Sequence, residues 1–122
     1  IEHLSNPGNA LENIKKILRS DGRLIITTPN RFDFLQMIRA FLRGKIPHYA
    51  KDIAKHVFYF DENCLSDLLV RHGYRLVEVV YYASFSKDYD NYFVKTILKL
   101  LMKFRPSFLR GLVVIAEKKD HD

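Results

Sequence analysis

Glu2 and His3 stand side by side near the start of the chain, and His56 follows 53 residues after His3. An imidazole titrates near neutrality without assistance, so His56 has the chemistry of a general base. The plain readings are a helix-entry Glu, a His packed against the next turn and an exposed strand His, and the spacing alone gives the three no reason to meet. Asn30 and Arg31 follow a strand-like run, where Asn30 is either a substrate contact or a common way to leave a strand. The lone Cys64 has no neighbour that marks it as a nucleophile. No two of the five glycines (Gly8, Gly22, Gly44, Gly73, Gly111) are close enough for a GxG turn, so a phosphate or dinucleotide cradle of that kind is not encoded.

Elements must hold those residues in place, and the composition sets what can be built. The 122 residues are 48% apolar and 28% charged, which suits one globular domain and excludes a disordered tail. No apolar run reaches the length of about 18 residues that a membrane span needs. One cysteine cannot form an internal disulfide, so a disulfide-stapled secreted fold is excluded and a reducing, cytoplasmic setting is expected. The opening residues carry neither an initiator Met nor a signal segment and read as the middle of a longer chain. The net charge is +6, which permits an acidic partner without demanding one.

The pattern predicts a helix over 6–19, capped by Ser5 or Asn6, with Ala10, Leu11, Ile14, Ile17 and Leu18 on one stripe. Residues 23–28 form a short β-branched run, expected to be buried on both faces. A helix over 32–43 carries Phe34, Leu35, Ile38, Phe41 and Leu42 on its apolar face and ends at Gly44. Residues 45–55 read as loop and 56–60 as extended. Asp61 caps a helix over 62–72 that Gly73 closes. A strand over 75–84 alternates Val77, Val79 and Tyr81 with Leu76, Glu78, Val80 and Tyr82. A polar link, a helix over 92–104 and a last strand over 112–117 complete an α/β layered domain.

Ile1-Glu2-His3-Leu4, then a helix, then Asp21-Gly22-Arg23-Leu24-Ile25-Ile26-Thr27-Thr28-Pro29-Asn30 resemble the second half of class I S-adenosylmethionine-dependent methyltransferases. The closest resemblance is to the broad type 11 group, which includes ubiquinone-biosynthesis O-methyltransferases and enzymes of glycan and natural-product tailoring. His56-Val57-Phe58-Tyr59-Phe60, followed by Leu65, Leu68, Leu69, Gly73-Tyr74 and the next strand, is similar to the same group. The likeness covers about the first two thirds of the chain, fades over 85–110 and returns in the last strand. Ser20-Asp21-Gly22 stands where the family usually has Pro-Gly-Gly.

The resemblance implies a partial Rossmann-like fold of three strands, with the last strand antiparallel between the other two. It implies that the cofactor-binding half, with its Gly-rich loop, is absent from this single partial domain of residues 1–122. The intact enzyme would methylate oxygen on a small or lipid- or glycan-linked metabolite, and the isolated segment would be inactive. This segment would supply the substrate-side wall: His56, His3 and Glu2 as catalytic residues, and Asn30, Arg31 and Tyr59 as substrate contacts. In the family, a similar Glu-His pair joins a later His and an earlier Glu to hold a divalent metal, as in small-RNA 2′-O-methyltransferases. Glu2, His3 and His56 match three of those positions. A metal there would orient hydroxyls and acidify the attacking oxygen.

The basic residues are clustered. Residues 31–57 hold Arg31, Arg39, Arg43, Lys45, Lys51 and Lys55, and residues 91–111 hold five basic residues and no acid. Lys95, Lys99 and Lys103 form a stripe on an otherwise apolar helix. The plain reading is a buried helix with one solvated edge; the alternative is a peripheral membrane contact through 92–104. Two rivals to the enzyme remain at this point. One is a basic nucleic-acid-binding module with Tyr49, Phe58 and Tyr59 as stacking residues, the less favoured partner class. The other is a non-catalytic module that dimerises through the open edge of the strand 23–28.

Overall fold

The computed structural model describes residues 1–45, 56–82 and 92–119. Their order is α1 (Pro7–Ile17), β1 (Arg23–Pro29), α2 (Phe34–Arg43), α3 (Glu62–Arg71), β2 (Tyr74–Tyr82), α4 (Tyr92–Phe104), a 3-10 turn (Pro106–Phe108) and β3 (Gly111–Lys118). The strands lie in the order β1-β3-β2, with β3 antiparallel to both neighbours. This is the α/β arrangement the resemblance implied.

Local chemistry explains where the elements start and stop. Asn6 accepts a hydrogen bond from the Asn9 N–H, Asp33 from the Leu35 N–H and Asp61 from the Cys64 N–H, each satisfying an orphan donor of a helix's first turn. Gly44 and Gly73 follow their helices at φ 65° and 75°, left-handed values that glycine adopts without a Cβ penalty.

The core lies on one face of the sheet. Leu11 of α1, Leu65 and Leu69 of α3, and Phe60 pack with Ile26, Tyr74, Leu112, Val114 and Ala116. The Tyr74 hydroxyl donates to the Leu11 carbonyl at 2.8 Å, so the buried ring brings no unsatisfied polar atom.

Several expectations need correction. β1 is not covered on both faces: Ile26 is 8% exposed while its neighbour Ile25 is 61% exposed. The helices α1 and α3 reach only the inner face, so alternate residues of β1 meet solvent. In α1, Leu11 is buried but Ile17, at the last turn, is exposed. In β2 the register shifts between Leu76 and Glu78. That bulge places Val77 outside the alternation, so Leu76 shares the inner side with Val79 and Tyr81 while Val77 is exposed. Exposure is high on α2 and on the described side chains of α4. None of α2's side chains is buried, and Phe93, Leu100 and Phe104 of α4 are exposed.

Candidate active site at the carboxyl edge of the sheet

Backbone hydrogen bonds draw the N-terminal residues and the 56–60 segment together. The Glu2 carbonyl accepts from the N–H groups of Val57 (2.8 Å) and Phe58 (3.2 Å). Phe60 forms a parallel bridge with Asn30, and its carbonyl accepts from the Arg31 N–H at 2.9 Å. The segment is therefore fastened at both ends against the carboxyl end of β1.

That fastening brings His56 to His3, with ring centroids 4.7 Å apart and the rings edge to face. Tyr59 stands beyond, its ring 6.0 Å from His56. The His3 Nε2 lies 3.7 Å from Glu2 Oε1. One ligating atom from each of Glu2, His3 and His56 falls within 4.8 Å of the others.

Thr28, the last inward-facing residue of β1 and itself buried, donates its hydroxyl to Glu2 Oε2 at 3.0 Å. Burial pushes the Glu2 carboxyl up, but it is held below its ordinary value, with the hydrogen bonds from its own backbone N–H and from Thr28 leading the opposing causes. Glu2 is consequently an anion at neutral pH. Thr28 was not anticipated as a site residue, although its place in the sequence signals it: a hydroxyl in phase with Leu24 and Ile26 at the carboxyl end of a strand.

Asn30 is 4% exposed. Its amide donates to the carbonyls of Ser107 and Leu109, both at 2.8 Å, and its Oδ1 accepts from the Phe32 N–H. Its donors are spent on joining β1 to the start of β3, so the amide N–H groups act as a clamp rather than as a substrate contact. Arg31 is exposed beside it. An open cleft of about 260 Å³ lies over this junction, lined by Asn30, Phe32, Glu62, Tyr81, Ser107 and Phe108 among others. Within it the Tyr81 hydroxyl donates to the Glu62 carboxylate. Burial, then that bond, then the charges of Glu62 and Asp61 drive the Tyr81 hydroxyl well above its ordinary value, so it remains a donor.

Cys64 is exposed, and His72 pairs with Glu12 away from these groups. His48, Tyr49, Lys51, Lys55 and His121 lie outside the described residues.

The carboxyl edge of the sheet is where open α/β folds of the Rossmann-like type bind ligands, and here it carries a carboxylate and two imidazoles. Residues 1–79 match the sequence pattern of a methyltransferase domain, and the chain belongs to that family. The match carries the class and not the type 11 subgroup. A structural comparison finds a SAM-dependent methyltransferase from Archaeoglobus fulgidus at 16% identity and TM-score 0.48, covering 96% of this chain and 55% of that one. The chain thus spans about half the length of that protein. No curated protein matches the chain.

Proposed function

We propose that this chain is the substrate-side half of an S-adenosylmethionine-dependent O-methyltransferase, with His56 as the base that takes the acceptor's proton. The observation that supports it is the meeting of Glu2, His3 and His56 at the carboxyl edge of a methyltransferase-family sheet. The residues present do not form a site for the methyl donor: the chain has no glycine pair for the turn against which such a cofactor lies. The donor supplies an electrophilic methyl group from outside these residues, and what they do concerns the acceptor alone.

An acceptor hydroxyl beside His56 becomes a competent nucleophile as its proton moves to an imidazole nitrogen. The imidazolium so formed lies close to the anionic Glu2, and attraction over that distance lowers the cost of the charge. Thr28 keeps the carboxylate oriented. Tyr59 limits water access on the far side of His56, and Arg31 stands where it can meet an anionic group on the acceptor. The acceptor on this reading is a small hydroxylated metabolite, or one carried on a lipid or glycan.

In the intact protein, His56→Ala should lower kcat by about a hundredfold or more, the scale of a lost general base, with little change in melting temperature. Activity that survives the substitution removes the base role.

A second reading is supported by the donor set itself. One carboxylate and two imidazoles within 4.8 Å would suit a divalent cation with some affinity for nitrogen, Mn²⁺ rather than Mg²⁺. Such an ion would polarise the acceptor hydroxyl. Titration with Mn²⁺ should then show binding that His3→Ala abolishes, and chelators should halt methyl transfer. Activity indifferent to chelation leaves the metal-free base.

A further inference from the structure

Among the described residues, the two helices with the most exposed large apolar side chains are the two that carry the basic excess. In α2 the apolar residues Phe34, Leu35, Ile38, Phe41 and Leu42 share one side, with Arg39 and Arg43 on the other, and Phe41 and Leu42 are 87% and 75% exposed. In α4, Leu100 and Phe104 are exposed next to the stripe of Lys99 and Lys103, and the Lys103 ammonium lies 5.5 Å from the Phe104 ring centre. A lysine whose stem runs along an apolar ridge can keep its charge at a lipid headgroup while the ridge enters the acyl boundary.

The helices also meet one end of the sheet. α2 begins just past Asn30, whose amide is bonded to Ser107 and Leu109 around the 3-10 turn, and α4 packs on that turn. Residues 34–45 and 92–111 contain eight Lys or Arg and no Asp or Glu. A second copy of the chain would bring basic against basic, which disfavours self-association through this face. An anionic surface complements it.

We propose that α2 and α4 form one amphipathic, basic footprint that docks the carboxyl edge of the sheet on an anionic lipid bilayer. The further step, that the acceptor is a lipid-linked hydroxyl drawn from that bilayer, rests on the methyltransferase reading above.

The test is co-sedimentation of the intact protein with vesicles of phosphatidylcholine and phosphatidylglycerol in equal parts, against phosphatidylcholine alone. Binding should require the anionic lipid and weaken as salt is raised. Lys99→Gln with Lys103→Gln should weaken it about fivefold per charge. Phe41→Ser with Leu42→Ser should weaken it at least tenfold, with an unchanged melting temperature because both side chains are exposed. Absence of binding, equal binding to the two vesicles, or a dimer that the Phe41/Leu42 variant dissolves would overturn the proposal. Methyl transfer to a water-soluble acceptor is scored separately. If transfer persists without vesicle binding, the dock fails and the enzyme stands; vesicle binding without transfer to any acceptor leaves the dock and removes the enzyme.

Discussion

Ile25 and Ile26 are adjacent, of one residue type and in one strand, yet one meets solvent and the other the core. The same division runs through the molecule. On the inner face, Leu65, Leu112 and Val114 are fully enclosed and each buried polar side chain among the described residues has a hydrogen-bond partner. Elsewhere, Phe41, Leu42 and Phe104 are as apolar and nearly uncovered. Apolar content alone therefore does not mark the core here. The inner set holds the fold together, whereas the outer set is available for contact with something else.

The sharpest way to break that comparison is to truncate one member from each side. Leu112→Ala should cost about 2–5 kcal/mol in denaturant unfolding, because it removes enclosed methyl groups and leaves a cavity. Ile25→Ala should fall within about 0.5 kcal/mol, as exposed sites usually do. Equal losses would show that the outer face of β1 is covered in the protein tested.

Asn30→Ala should come next, at about 2–4 kcal/mol, since it leaves the buried Leu109 carbonyl and the part-buried Ser107 carbonyl without that donor. The loss should appear in the same unfolding measurement. A near-neutral result would mean that the β1–β3 junction is wetter than the inner face.

Thr28→Val should cost less than Asn30→Ala, about 1–2 kcal/mol near neutrality, by removing one donor from an ionised carboxylate. The sign with pH is fixed. A carboxyl held below its ordinary value adds stability above the unfolded-state titration and loses it as pH falls through the folded value. The gap between wild type and variant should therefore narrow in acid, and the Glu2 carboxyl should titrate higher in the variant by NMR. A gap that persists at low pH would assign the loss to packing.

Much of this was legible in the sequence because it depends on short-range rules. The caps at Asn6 and Asp61 lie where polar side chains precede periodic runs, and α4 spans the residues its pattern indicated. The strand order followed from the family resemblance rather than from periodicity. The bulge at Val77 was not legible, because one extra residue is set by pairing with β3 and leaves alternating apolar residues looking regular. The one-sided burial of β1 was missed for a related reason: a continuous β-branched run reports propensity, not which faces find partners. At the site, residue type singled out His56, but its distance from His3 depends on two hydrogen bonds to the Glu2 carbonyl that no spacing rule encodes. For Asn30 the sequence left both a substrate contact and a strand exit open, with the structural reading slightly ahead, and only the structure shows its amide donors taken by the Ser107 and Leu109 carbonyls.

The central position of β3 has a consequence for how the protein is made. β3 follows β1 and β2 in the chain, and both take their ladder partners in the described sheet from it. At about 5–20 residues per second, β1 leaves the ribosome several seconds before the strand it will pair with. During that interval its β-branched edge is an open template for other nascent chains. The charges that bracket the run, Arg19, Asp21 and Arg23 before it and Arg31 after it, are placed to discourage premature association.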